Sequence, residues 1–275
     1  MGYELRAMSF GEILDAGFQL LRREAQLIVG IAAVLYLPVG LLEGGSPPQA
    51  SVGAGLSTLP LLRLSIIGLF FLIGAPLVTT ANTWAVGEVY VGRPTTVGRA
   101  LRVAWSMLLP LTGTVLLVYL FVLVVCGGGA VAGALLARAG STVVGFVIIL
   151  SSIVLAAYLF LSYLLLWPVM VLEHTFGLAA LRRSRQLMRG SLLRGFGITF
   201  LGTLIVSVLG AILQIALGYI PVLGPLGIGL ARAAGVGYTS AVLVLLYFDI
   251  RCRKEGFDLE HLAALVAREG APPLV

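Results

Sequence analysis

The run Val115-Leu116-Leu117-Val118-Tyr119-Leu120-Phe121-Val122-Leu123-Val124-Val125 is apolar at every step. It sits inside residues 103–137, which contain no Asp, Glu, Lys or Arg. A transmembrane strand alternates apolar and polar residues over about 10 positions, and this run does not alternate. A helix satisfies its own backbone hydrogen bonds in hydrocarbon, so the run reads as a membrane-crossing helix. Five more uncharged stretches share the chain with it: 25–42, 64–87, 139–172, 195–231 and 233–248. Roughly 20 residues, at 1.5 Å rise each, cross about 30 Å of hydrocarbon. The spans expected are about 25–43, 61–87, 106–126, 141–171, 196–218 and 228–249. Gly44-Gly45-Ser46-Pro47-Pro48, Gly127-Gly128-Gly129 and Pro221-Val222-Leu223-Gly224-Pro225 are read as the breakers that end the first, third and fifth.

Composition agrees. Charged residues are 11% of the 275, against about 25% in soluble domains, and mean hydropathy is +1.07. The first apolar run begins only near Ala25, after Glu4, Glu12, Asp15 and Glu24, which is not the basic start and early apolar core of a signal peptide. That run is expected to be retained. Cys126 and Cys252 are far apart in sequence and read as free thiols.

Three times the chain repeats one figure: an amphipathic Arg-bearing stretch, two apolar runs, then an acidic residue. The stretches begin at Ser9-Phe10-Gly11-Glu12, Thr95-Thr96-Val97-Gly98 and Gly177-Leu178-Ala179-Ala180. The expectation is an all-α polytopic membrane protein, one membrane domain over 1–275. Its six transmembrane helices form three helix-hairpin repeats, at about 9–92, 93–174 and 175–256. Each repeat is preceded by a cytoplasmic interfacial amphipathic helix, and a last such helix closes the chain at about 257–268. Ser9 and Glu12 have capping-box spacing. In the third stretch Leu178, Leu181, Met188 and Leu192 are placed on one face, with Arg182, Arg185 and Arg189 on the other. Helices of this kind lie in the membrane interface or act as elbows into the next span.

Basic residues set the direction. The termini and the segments 88–105 and 172–195 hold 15 of the 18 Lys and Arg; Arg63, Arg138 and Arg232 are the other three. Basic loops stay in the cytoplasm, so both termini are expected there, in a bacterial inner (cytoplasmic) membrane. Trp84, Trp105 and Trp167 fall at the cytoplasmic ends, as an aromatic belt would have them. The net charge of +6 is distributed by membrane side, with no mixed aromatic and basic surface, which argues against a nucleic-acid partner. The partners expected are anionic lipid headgroups on the cytoplasmic side and a protein; Arg182, Arg185 and Arg189 are the candidate lipid contacts.

Two further sets carry candidate chemistry. Glu88, Glu173 and Asp249 end the even-numbered spans. Around a pseudo-threefold axis they would form a cytoplasmic acidic ring of the kind that selects cations, or each pairs with a nearby Arg, as Asp249 would with Arg253 one turn on. Arg63, Arg138 and Arg232 would form an outer basic cluster for an anion or headgroup, or each snorkels to the interface. The membrane middle holds no ionisable side chain in these spans, whereas pumps place them at depth. Polar residues there are Thr79, Thr80, Asn82, Ser151, Ser152, Thr203, Ser207 and Gln214. Pro38, Pro76 and Pro168 are candidate kinks. There is no HExxH, Walker A, nucleophile elbow or zinc-spaced cysteine cluster, so neither catalysis nor a cofactor or metal is expected.

The opening Met8-Ser9-Phe10-Gly11-Glu12-Ile13-Leu14-Asp15-Ala16-Gly17-Phe18, the segment Pro168-Val169-Met170-Val171-Leu172-Glu173 and the closing Tyr247-Phe248-Asp249-Ile250-Arg251-Cys252-Arg253-Lys254-Glu255-Gly256-Phe257-Asp258-Leu259 resemble the prokaryotic glycerophosphoryl diester phosphodiesterase membrane-domain proteins. In fusions of that family the membrane region precedes a soluble phosphodiesterase domain; the 275 residues here include none. The resemblance implies a six-span membrane module, not phosphodiesterase activity. The function expected is a non-catalytic scaffold or accessory module that binds lipid or a partner protein. The alternative is a transporter, channel or lipid-translocating protein with a path at the repeat interface.

Overall fold

A computed structural model describes residues 6–44, 65–217, 220 and 223–256; these are helices joined by short turns, with no strand among them. In chain order they are α1 (Phe10–Arg23), α2 (Ala25–Gly44), a π-helical turn (Phe70–Gly74) leading into α3 (Ala75–Tyr90), α4 (Val97–Arg138), α5 (Thr142–Ser162), α6 (Leu166–Leu172), α7 (Gly177–Met188), α8 (Leu192–Leu217) and α9 (Leu223–Glu255). Six helical stretches are long and apolar enough to cross a membrane: Ala25–Leu42, Ser65–Tyr90, Val97–Arg138, Thr142–Leu172, Leu192–Leu217 and Gly224–Glu255. The chain is an all-helical protein with six candidate membrane-crossing segments.

The boundaries differ from the expected ones in three instructive places. Helix α4 runs through Gly127-Gly128-Gly129 without stopping and ends at Arg138. Its terminator is Gly140, at φ +86°: the Ser141 N–H donates to the Leu136 carbonyl and the Gly140 N–H to that of Ala137, the pair of hydrogen bonds that marks a glycine-closed helix end. At 42 residues, α4 is about 63 Å long, roughly twice the hydrocarbon thickness. The expected amphipathic stretch with Arg99 and Arg102 is thus the first turns of this helix, not a separate element. The fourth segment breaks at residues 163–165, so Pro168 falls in the first turn of α6, where its missing N–H costs little. Pro76 likewise opens α3, directly after the π-helical turn, while Pro38 lies inside α2. The closing helix expected at about 257–268 and Arg63 lie outside the described residues.

The helices form two compact units, 1–106 with 197–275, and 107–196. These limits do not coincide with those of the three expected repeats; α4 and α8 each run from one unit into the other.

In the first unit α9 is the centre, packed by α1, α2 and α3. Close approach is achieved with small residues, as membrane helices require. A Cβ added at Gly229 would lie 2.9 Å from the Tyr36 carbonyl oxygen and 3.3 Å from the Leu37 Cα; one at Gly40 would lie 2.7 Å from the Pro225 carbonyl oxygen. Ala32, Val78 and Ala233 join α2, α3 and α9 in a tight apolar cluster. Ile13, Leu14, Gly17 and Leu20 of α1 are buried. A Cβ on Gly17 would touch Val242 and Tyr238, and the Tyr238 hydroxyl donates to the Leu14 carbonyl at 3.3 Å. Much of the apolar face of α1 is therefore spent on α9 rather than on lipid, although Phe18 remains exposed.

The N-terminal cap of α1 is formed as its spacing predicts. The Ser9 hydroxyl accepts from the Glu12 N–H, and the Glu12 carboxylate accepts from the Ser9 N–H. Arg6 adds an ion pair to Glu12 at 2.8 Å. The Ser9 backbone N–H first, then Arg6, pull the Glu12 carboxyl from 4.5 down to about 2.

In the second unit α4 and α5 are antiparallel partners. A Cβ on Gly133 would lie 2.6 Å from the Gly145 carbonyl oxygen, and Gly129 meets Ser152 as closely. Of the three glycines read as a breaker, Gly129 is here a contact residue. Most large apolar side chains of both helices point outward: Leu109, Tyr119, Leu123, Val143 and Phe160 are all exposed. That is the arrangement hydrocarbon favours, since lipid tails are as apolar as the side chains facing them.

Candidate functional site

Helix α7 carries three arginines and no acidic residue. Its first residue, Gly177, takes φ +65°, and its N–H donates to the Thr114 hydroxyl at 2.8 Å. Ala180, Leu181, Ser184, Leu187 and Met188 are buried, and the Ser184 hydroxyl donates to the Ser162 carbonyl at 3.1 Å. The inward face is therefore displaced from the expected one: Leu178 is 61% exposed, and the small residues Ala180 and Ser184 point in. Arg183 lies on neither face and grips Glu173, its Nε donating to both carboxylate oxygens at 3.1 and 2.8 Å and its Nη2 to one of them at 3.0 Å. A fork on both oxygens is the strong form of this pair.

Arg182, Arg185 and Arg189 fall at i, i+3 and i+7, one side of the helix. All three are exposed, and all three line one cavity of about 470 Å³, together with Tyr158, Ser162, Gln186, Gly190 and Leu192. Arg185 Nη2 donates to the Tyr158 hydroxyl at 3.4 Å, and its guanidinium carbon lies 5.9 Å from the Tyr158 ring centre. Among the described residues no carboxylate lines this cavity; Glu173 is engaged by Arg183. Three like charges on one helix face repel each other. An anion with several oxygens relieves that repulsion and matches planar guanidinium donors.

Each member of the expected acidic ring has an arginine close by. Glu173 has Arg183, as above. Glu88 faces Arg93 at 3.6 Å on the surface. Asp249 is fully buried and is held more elaborately: its Oδ1 accepts from the Met8 N–H at 2.8 Å and from Arg253 Nε at 3.0 Å. Arg253 Nη2 in turn donates to the Met8 carbonyl at 2.7 Å. The pairing with Arg253 was readable from i, i+4 spacing; the clamp on Met8 was not. Tyr90 and Phe248 stack at 5.2 Å, joining the ends of α3 and α9 that carry Glu88 and Asp249.

Of the outer basic set, Arg138 is exposed at the end of α4. Arg232 is placed differently from expectation. Helix α9 starts at Leu223, so Arg232 lies nine residues in, about 14 Å along the axis. It lines a cavity with Tyr36, Thr79, Thr239 and Ser240. Asn82 is fully buried in α3, and neither its side-chain oxygen nor its nitrogen has a hydrogen-bond partner. Both cysteines are free thiols, Cys252 buried and Cys126 half-buried. No group of three or more metal-binding side chains occurs among the described residues.

Sequence reasoning found the three arginines of α7 but missed Tyr158, Ser162 and Gln186 around them. Tyr158 is 27 positions from Arg185, across a turn that no periodicity marks. Thr239 had a usable signal: it stands seven residues after Arg232, on the same face.

Residues 51–251 match a family model described as Domain of unknown function (DUF8558). The chain belongs to that family. No curated protein and no solved structure matches the chain.

Proposed function

We propose that this DUF8558 protein is a non-catalytic integral-membrane module that holds phosphate-bearing anionic headgroups in the Arg182, Arg185 and Arg189 cavity. The observation that carries the reading is the convergence of three arginines and the Tyr158 hydroxyl on one cavity. Each basic residue near an anionic bilayer surface adds about 1 kcal/mol of attraction. The 15-to-3 division of basic residues supports a cytoplasmic position for this cavity and for both termini, in a bacterial inner membrane. The three recurring figures support three helix-hairpin repeats with the amphipathic stretches on that same side. The resemblance to the phosphodiesterase membrane-domain proteins fits a module of this kind, which would present headgroups to a partner protein or be held beside one.

The test is lipid selectivity. The protein is reconstituted in nanodiscs of mixed phosphatidylglycerol and phosphatidylcholine, and co-retained lipid is measured by native mass spectrometry. Enrichment of phosphatidylglycerol, lost when all three arginines become Gln, is the expected result. Equal retention of both lipids by the unaltered protein would overturn the reading.

Lipid translocation or transport is the second reading. The cavity beside Arg232, lined by hydroxyls and extending along α9, favours it. Scrambling or ion flux in proteoliposomes that depends on Glu88, Glu173 and Asp249 would put this reading first.

A further inference from the structure

The cavity at Arg232 is a slot of about 490 Å³, walled by α2, α3, α8 and α9 of the first unit. Among the described residues, Arg232, Tyr36, Thr79, Thr239 and Ser240 are its polar lining. From Arg232 to Leu243, at the far end of the lining on α9, is eleven residues of helix, about 16 Å. We propose that this slot is a water-filled pocket sunk into the membrane-spanning part of the unit. Its ligand is water, which reaches Arg232, Thr79 and Thr239.

Arg232 is deep. The next residue, Ala233, packs with Ala32 and Val78, which lie inside the candidate spans Ala25–Leu42 and Ser65–Tyr90. Arg232 is therefore level with the interior of its neighbours, not with their ends. Ionisable side chains at such depth face a bundle interior or a water-filled cavity, because hydrocarbon solvates charge poorly. A guanidinium carries five N–H donors, and water in the slot serves them alongside any protein group that Arg232 also meets. The slot suits water as well. A cavity holds water when it is roomy and offers two to four polar partners, and stays dry when it is apolar. At about 30 Å³ per molecule there is room for on the order of ten. Thr79 Oγ1 donates to the Ala75 carbonyl at 2.8 Å and Thr239 Oγ1 to the Gly235 carbonyl at 2.9 Å. Their hydrogens are taken by the backbone, which leaves their lone pairs as acceptors. Donors at Arg232, acceptors at the threonines and the two-way hydroxyls of Tyr36 and Ser240 are the mixture that linked waters need. The same unit holds a contrasting cavity of about 560 Å³ between α1, α8 and α9, faced by Phe18, Leu209 and Leu213. Its described side chains are apolar except for Asp15 and Tyr238. Asp15 accepts from Gln19 Nε2, and the Tyr238 hydroxyl donates to the Leu14 carbonyl. That cavity is left to lipid tails.

The slot shares no residue with the α7 cavity, so this inference and the headgroup reading fail separately. Water fills it whether or not a solute crosses, so an absence of flux leaves the inference standing. The test uses the full chain in phosphatidylcholine bilayers and water-edited solid-state NMR, in which magnetisation passes from water protons to nearby side chains. Thr80 is the reference: it adjoins Thr79, is buried, donates to the Pro76 carbonyl at 2.7 Å and is not part of the described lining. The side-chain signals of Thr79 and Thr239 should build up at least threefold faster than that of Thr80. A second measurement labels thiols in a Cys126→Ser, Cys252→Ser background. Thr239→Cys should react with the anionic reagent sulfonatoethyl methanethiosulfonate at least tenfold faster than Leu213→Cys, which faces the apolar cavity. Equal build-up at the three threonines, T239C labelled no faster than L213C, or T239C labelled by a lipid-soluble maleimide alone would each overturn the proposal. The NMR comparison needs no variant, so it decides the matter even if T239C does not fold.

Discussion

Helices α4 and α9 invert the relation between apolarity and burial that holds in soluble proteins. An 18-residue apolar stretch of α4 contains no buried residue, whereas 78% of the corresponding stretch of α9 is buried. Yet α4 carries the unbroken run Val115–Val125, while α9 carries Arg232, Thr239, Ser240 and Asp249. In water the greasier helix would be the core. Here the solvent is hydrocarbon, which gives two apolar surfaces no reason to leave it. What draws helices together is close packing and hydrogen bonding, so the helix richest in glycine contacts and polar groups becomes the centre. Apolarity marks the surface that lipid touches, and small or polar residues mark the surface that protein touches.

Four changes test that contrast, beginning with the most damaging. Gly229→Leu would drive a side chain into the Tyr36 carbonyl and the Leu37 backbone. Neither is a flexible end that can step aside, so a loss of about 3 kcal/mol is expected, read as a lowered unfolding midpoint in detergent. Gly229→Leu with unchanged stability would mean that the α2–α9 crossing is loose.

Asp249→Ala removes the buried carboxylate that holds both Met8 and Arg253, at a cost of about 2 kcal/mol. Glu88→Ala breaks a surface pair of 3.6 Å and should cost no more than about 1 kcal/mol. Similar losses for the two would mean that burial does not separate these carboxylates.

The third change is in pH. The Glu12 carboxyl titrates lower in the folded protein than in the unfolded chain, about 2 against 4.5. Its contribution to the α1 cap is therefore complete above pH 4.5 and is lost as pH falls through 2. Protection of the first-turn amides of α1, taken relative to their intrinsic exchange rate at each pH, should fall across that window, and E12Q should remove the dependence. An equal fall in E12Q would assign it to another group.

The mildest change is Gly128→Leu. A Cβ there meets nothing within 4 Å, and leucine is the better helix former by somewhat under 1 kcal/mol. Stability should hold or rise slightly. A large loss would show that α4 has a packing partner at that face.

The same contrast explains what could be read from sequence and what could not. The six apolar segments were legible because charge is excluded from hydrocarbon at any position along a span. The clustering of Arg182, Arg185 and Arg189 was legible because helical period alone places them on one side. Gly127-Gly128-Gly129 was misread because glycine breaks helices where water competes for the backbone. Inside α4 there is no such competitor, and Gly129 serves to admit Ser152 instead. The inward face of α7 was misjudged because Leu178 is larger than Ala180 and Ser184; size predicts burial only where the surroundings are water. The depth of Arg232 is hidden in the sequence because Pro221-Val222-Leu223-Gly224-Pro225 reads as a breaker, whereas α9 already begins at Leu223.

The contact between Met8 and Asp249 joins residues 241 positions apart, and that separation is also an interval of time. At 5–20 residues per second, synthesis from one to the other takes roughly 10–50 s. Throughout that interval α1 and α2 exist without α9, the helix that Gly17 and Gly40 are shaped to receive. The first part of the chain to be made is thus among the last to be finished. Truncation anywhere before α9 would leave an early span in the bilayer with its packing face vacant, open to capture by a neighbouring helix or by the cell's quality control.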